Sequence, residues 1–151
     1  PYVGRGIGNL PPETYMDRTG EGGVVAQKLD DQTFIDATTK VVKDIHSQGN
    51  AVIIGRGANQ ILADAPNTFH VGLIAPMSVR VETLIGREHF EREEAEIHVV
   101  ELERAREDFV QNFWKVHPNE PKHYHMMLNM GRMTPKVASE VIAHAAADLA
   151  P

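Results

Sequence analysis

The chain has 151 residues, 42% of them hydrophobic and 24% charged, with a net charge of −6 and no cysteine. That composition suits one globular domain with a proper core. It excludes a disulfide framework and thiol catalysis, and no apolar run approaches the ~20 residues a membrane helix needs.

The acidic balance argues against nucleic-acid or membrane-surface binding, because no basic block can neutralise many phosphates. A cytoplasmic location is expected. The chain opens Pro1-Tyr2-Val3 with neither signal peptide nor initiator Met, so a start inside a longer protein is expected.

Residues 1–29 read as an irregular segment, punctuated by Gly4, Gly6, Gly8, Gly20, Gly22, Gly23 and the pair Pro11-Pro12. Gly4-Arg5-Gly6-Ile7-Gly8 resembles a phosphate loop in composition, but no strand precedes it and prolines follow it. Without that context it reads as linker. A single α/β domain is expected over 30–151. Asp30-Asp31 offers an N-cap for a helix from Gln32 to Ser47. Its apolar face is Phe34, Ala37, Thr38, Val41, Val42 and Ile45. Gly49-Asn50 ends it.

Ala51-Val52-Ile53-Ile54 then reads as a short strand buried on both faces. It runs into Gly55-Arg56-Gly57, which presents a guanidinium at the carboxyl end of a core strand, where open α/β folds bind ligands. A surface arginine in a tight turn is the plainer reading of the same residues. Ala58 to Leu62 reads as a helical turn, and Phe69 to Ala75 as a second apolar strand, giving βαβ grammar and a parallel sheet. His70 reads as a strand-edge residue.

A helix starting near Pro76 places Val79, Val81, Leu84 and Ile85 inward and Arg80, Glu82 and Arg87 outward. Glu91 to Asp108 is a charged helix with a narrow stripe of Ala95, Val99, Leu102, Ala105 and Phe109. It reads either as a solvated surface helix or as part of a lid over approximately 87–115. Tyr124 to Met130 forms a third strand. Thr134 caps a last helix with Pro135 at its first position and Val137, Val141, Ile142 and Ala145 on its apolar face.

No Gly-Lys pair completes a Walker A sequence, and no Gly-x-Ser-x-Gly is present. His117, His123 and His125 lack metal-ligand spacing, and no metal site is expected. The feature left is a series of arginines: Arg56, Arg80, Arg87, Arg104 and Arg106. A planar guanidinium binds two phosphate oxygens at once and never loses its charge. Phosphoryl transfer needs several such fixed charges.

The order of motifs resembles the cytidylate kinase-like family of P-loop nucleoside monophosphate kinases. The resemblance rests on Gly49-Asn-Ala-Val-Ile-Ile-Gly-Arg-Gly-Ala-Asn-x-Ile-Leu62, His70-Val-x-Leu-Ile-Ala-Pro76, Arg87-Glu88 with Glu91-Arg-Glu-Glu-Ala95, Glu103-Arg-Ala-Arg106 and Asn129-Met-Gly-Arg132. It covers roughly residues 32–149. It implies a three-layer α/β/α fold, a parallel sheet flanked by helices with a helical lid. It also implies transfer of the ATP γ-phosphate, with Mg²⁺, to a CMP-like nucleotide.

Under the resemblance, Gly55, Arg56 and Gly57 bind the acceptor, and Gly57 stands where such enzymes have Asp. Arg104 and Arg106 are the catalytic lid arginines, while Arg87 and Arg132 serve the donor nucleotide. The family's opening strand and phosphate loop are not in this sequence and are expected upstream of Pro1, so the 151-residue chain is expected to turn over negligibly. The alternatives are a non-catalytic nucleotide- or anion-binding regulatory module on the same fold and a plain structural domain. Nucleotides are the expected partners, and self-association is left open.

Overall fold

The computed structural model describes residues 23–149. Of the irregular glycine-rich segment expected over 1–29, residues 1–22 lie outside them, Gly4 to Gly8 included. The described residues fall into two compact units, one ending at Ala63 and the other starting at Asp64.

The first unit is built on α1 (Gly23–Gln48) and α2 (Ala58–Ile61), which pack against each other. Helix α1 begins well before the expected cap, so residues 23–29 are helical rather than irregular and Asp30-Asp31 lies inside the helix. Val24 to Leu29 contains no Gly or Pro, and once a helix is nucleated each added residue gains a hydrogen bond. Ile35, Val42 and Leu62 are buried. Gly49 and Asn50 then turn the chain in the left-handed region.

The strand expected at 51–54 does not form. Val52 and Ile54 are 90% and 88% exposed. A strand is held by its ladder partners, and the ladder among the described residues joins β1 (Val71–Ile74) to β2 (Met126–Asn129) only. Among the described residues no strand lies beside 51–54 to pair with it.

In the second unit β1 and β2 are parallel, with Val71 opposite Met126 and Ile74 opposite Asn129. The parallel expectation is therefore met by the second and third expected strands. Helix α3 (Met77–Glu88) and helix α4 (Arg92–Trp114) follow β1. They pack through Val81, Ala95 and Val99, joined by Leu84, Ile85 and Phe90. Full burial of an aliphatic side chain contributes about 1.5–3 kcal/mol, so this seam is where α4 is held. His89 and Lys115 close α3 and α4 in the left-handed conformation.

Helix α5 (Pro135–Leu149) starts where expected, and the Val137 N–H donates to Thr134 Oγ1 at 3.3 Å. Its buried side is displaced from the expected face: Ala138 is buried while Val137 and Val141 are exposed. The described residues thus form a helix-rich α/β structure with a small parallel sheet. No described helix is long and apolar enough to cross a membrane.

Candidate functional site

Gly55-Arg56-Gly57 forms a left-handed turn, with φ of +70°, +56° and +66°. Glycine reaches this region freely, whereas a residue with a Cβ does so at a cost. The turn closes by the Ala58 N–H donating to the Gly55 carbonyl at 3.1 Å. Gly57 is buried and its carbonyl accepts from the N–H groups of Gln60 and Ile61. Arg56 is exposed, and among the described residues it makes no hydrogen bond or ion pair. The sequence folds the chain so that two glycines set the turn and the guanidinium between them is left available.

The carboxyl ends of β1 and β2 meet at a second turn. The Met130 N–H donates to the Ile74 carbonyl at 2.7 Å, and the Gly131 N–H to Asn129 Oδ1 at 2.9 Å. A methyl group on Gly131 would lie 2.6 Å from Pro76 Cδ, so the close approach of the two chain segments requires glycine. Arg132 follows with its side chain exposed.

The third feature is an ionic cluster joining α3, α4 and the segment after α4. Glu103 Oε2 lies 2.9 Å from Arg80 Nη2, and Glu103 Oε1 lies 3.2 Å from Arg106 Nη1. Asn119 Nδ2 donates to Glu103 Oε1 at 3.2 Å, while Arg106 donates to Asn119 Oδ1 at 2.8 Å and to the Pro118 carbonyl at 3.3 Å. The Tyr124 hydroxyl donates to that same carbonyl. Burial works against ionisation of Glu103, but the Asn119 hydrogen bond and the charges of Arg80 and Arg106 outweigh it. The carboxyl is held below its ordinary range.

The expected site residues divide accordingly. Arg56, with Gly55 and Gly57, belongs to the first unit; Arg87, Arg104, Arg106 and Arg132 belong to the second. Arg106 is tied into the cluster. Arg104 has its side chain 81% exposed, 3.9 Å from Asp108 one turn along. Two residues apart on a helix are separated by roughly 160° around its axis, so α4 sends these two arginines to opposite sides. Arg87 is exposed in the last turn of α3. Arg80, expected to face outward, instead reaches across to α4, because Glu103 offers it a partly buried carboxylate.

Glu103 and Asn119 were not singled out by role. The i,i+3 spacing of Glu103 and Arg106 was the available signal for the first; nothing local signals Asn119, which meets Arg106 across 13 positions. Two of the three histidines accept a backbone hydrogen bond. His117 Nδ1 accepts from the Asn119 N–H at 3.1 Å, and His125 Nδ1 from the His70 N–H at 3.0 Å. Among the described residues no three His, Asp or Glu side chains are grouped as metal ligands.

A family model described as the cytidylate kinase-like family matches residues 9–132. A curated protein named uronate isomerase, from Corynebacterium glutamicum, is 27% identical over 96 residues. That match takes in 64% of this chain but 18% of the length of the other protein. A crystal structure of an uncharacterized protein from Eubacterium ventriosum is similar with a TM-score of 0.67 and 16% identity, over 91% of this chain and 72% of that one. At that identity the likeness is one of fold.

Proposed function

The chain belongs to the cytidylate kinase-like family, and from that premise we propose that it is a nucleotide kinase-like phosphotransferase moving the ATP γ-phosphate to a CMP-like nucleoside monophosphate. Arg56 binds the acceptor phosphate, with Gly55 and Gly57 letting the ligand approach the backbone. Arg106 contributes positive charge to the phosphoryl group in flight, and Arg87 and Arg132 serve the donor. Arg104, on the opposite side of α4, has the weaker claim to the catalytic role.

Such transfer asks the protein for positioning and fixed positive charge more than for covalent chemistry. Mg²⁺ would come with the ATP phosphates, which supply several of its oxygen ligands. The reading carries with it a three-layer α/β/α arrangement, which the parallel β1–β2 pair supports.

The observation that carries this reading is Arg56: an exposed guanidinium that makes no hydrogen bond or ion pair among the described residues, held between two left-handed glycines inside the span matched by the family model. Calorimetric titration of the chain with CMP tests it. Arg56→Ala is expected to weaken CMP binding at least about tenfold, the loss of a charge-assisted contact, with the melting temperature little changed. Equal affinity in both proteins, or no CMP binding by the parent chain, would overturn it.

The occupied donors of Arg106 favour one alternative, a nucleotide-binding regulatory module without turnover. A coupled assay for ADP release, run with a strand and phosphate-loop segment supplied ahead of residue 1, separates the two: turnover supports the kinase, and nucleotide binding without turnover supports the module.

A further inference from the structure

We propose that Glu103 is an internal latch, a carboxylate that occupies Arg80 and Arg106 until a phosphate group takes its place. The inference rests on the reading of Arg106 as a phosphate contact and adds what controls that contact.

Helices α3 and α4 meet through an apolar seam of Val81, Ala95 and Val99. Arg80 on α3 and Arg106 on α4 take one oxygen each of a single carboxylate, and Asn119 donates to the oxygen that faces Arg106. Two guanidiniums therefore share one negative charge, and the trio keeps a net charge of about +1. Solvent reaches all three groups: the side chains of Arg80, Glu103 and Arg106 are 33%, 25% and 41% exposed. Arg80 meets Glu103 through Nη2, and a guanidinium fork carries further donors that another anion can use.

Carboxylate and phosphate are alternative ligands for the same planar fork. The carboxylate is tethered to α4 and so holds the forks when phosphate is scarce. A phosphate group brings more charge and a third oxygen, and displaces the carboxylate as its concentration rises. Exchange would also loosen the loop at Pro118-Asn119, since Asn119 bonds both Glu103 and Arg106.

Opposing effects decide the sign of the test. Removing the carboxylate lets the arginine side chains wander, which weakens binding. It also raises the trio from about +1 to about +2, and at these partly buried distances the charge effect is the larger. Inorganic pyrophosphate is titrated into the full chain at low salt. Glu103→Gln, which keeps the shape and an oxygen for Asn119, is expected to bind it roughly tenfold more tightly than the parent. Adding Arg80→Ala to E103Q should abolish the gain.

In the parent chain, side-chain N–H resonances of Arg80 and Arg106 should shift together as pyrophosphate is added, a readout that needs no variant to fold. Affinity in E103Q equal to or below that of the parent, or resonances that stay still, overturns the latch. The kinase reading fails separately, at Arg56: CMP binding indifferent to R56A sinks that reading while the pyrophosphate gain stands, and the reverse pair of results sinks the latch alone.

Discussion

Arg56 stands at φ +56° with a glycine on each side. The left-handed region costs a residue with a side chain about 1–2 kcal/mol, while glycine in its place adds roughly 0.5–1 kcal/mol of lost chain freedom. Arg56→Gly should therefore raise stability slightly, by about 0.5 kcal/mol by that difference, and at the same time weaken CMP binding. Urea denaturation beside CMP titration reads both. A variant less stable than the parent would mean that Arg56 holds the turn rather than serving a ligand. The opposite case is Glu103, whose two cationic partners and one amide define a structural state of their own. Arg56 is strained and without a partner among the described residues, whereas the Glu103 carboxylate is satisfied by groups of its own unit.

At the scale of elements, the segment Ala51–Ile54 is the instructive one. Its composition is that of a buried strand, yet Val52 and Ile54 face solvent. Periodicity and β-branching report only that a segment could sit in a sheet; a sheet position also needs neighbours. Val52→Ser and Ile54→Ser should each change unfolding free energy by no more than about 0.5 kcal/mol. A core strand would instead lose about 2–4 kcal/mol on comparable truncation. Denaturant midpoints at unchanged slope decide it. The helices were more legible. The apolar stripe of Ala95 and Val99 on α4, and Thr134 with Pro135 at the start of α5, are local signals and appear where local chemistry puts them. The buried side of α5 was not legible, because which stripe is covered depends on what lies against it, and Ala138 rather than Val137 took that place.

At the scale of the whole molecule, an isoelectric point near 5.7 and a charge of −6 at neutral pH combine with several exposed aliphatic side chains. Repulsion keeps such molecules apart at neutral pH and fades as carboxylates protonate toward the isoelectric point. Turbidity is expected to peak between about pH 5 and 6 and to fall on either side; replacing Val52 and Ile54 by Ser should lower the peak. A turbidity profile flat across that range would show that the exposed aliphatics attract nothing.

The sequence by itself determined the family, the existence of strands near 71–74 and 126–129, and the start of α5 at Thr134-Pro135. These follow from short-range rules: side-chain period, turn chemistry and the order of motifs along the chain. Tertiary structure alone decided that 51–54 pairs with no strand among the described residues, that the parallel ladder joins 71–74 to 126–129, and that Arg80 turns toward Glu103. Each of those depends on which distant groups come within reach, and neither a ladder partner nor a buried carboxylate is written in the residues that need it.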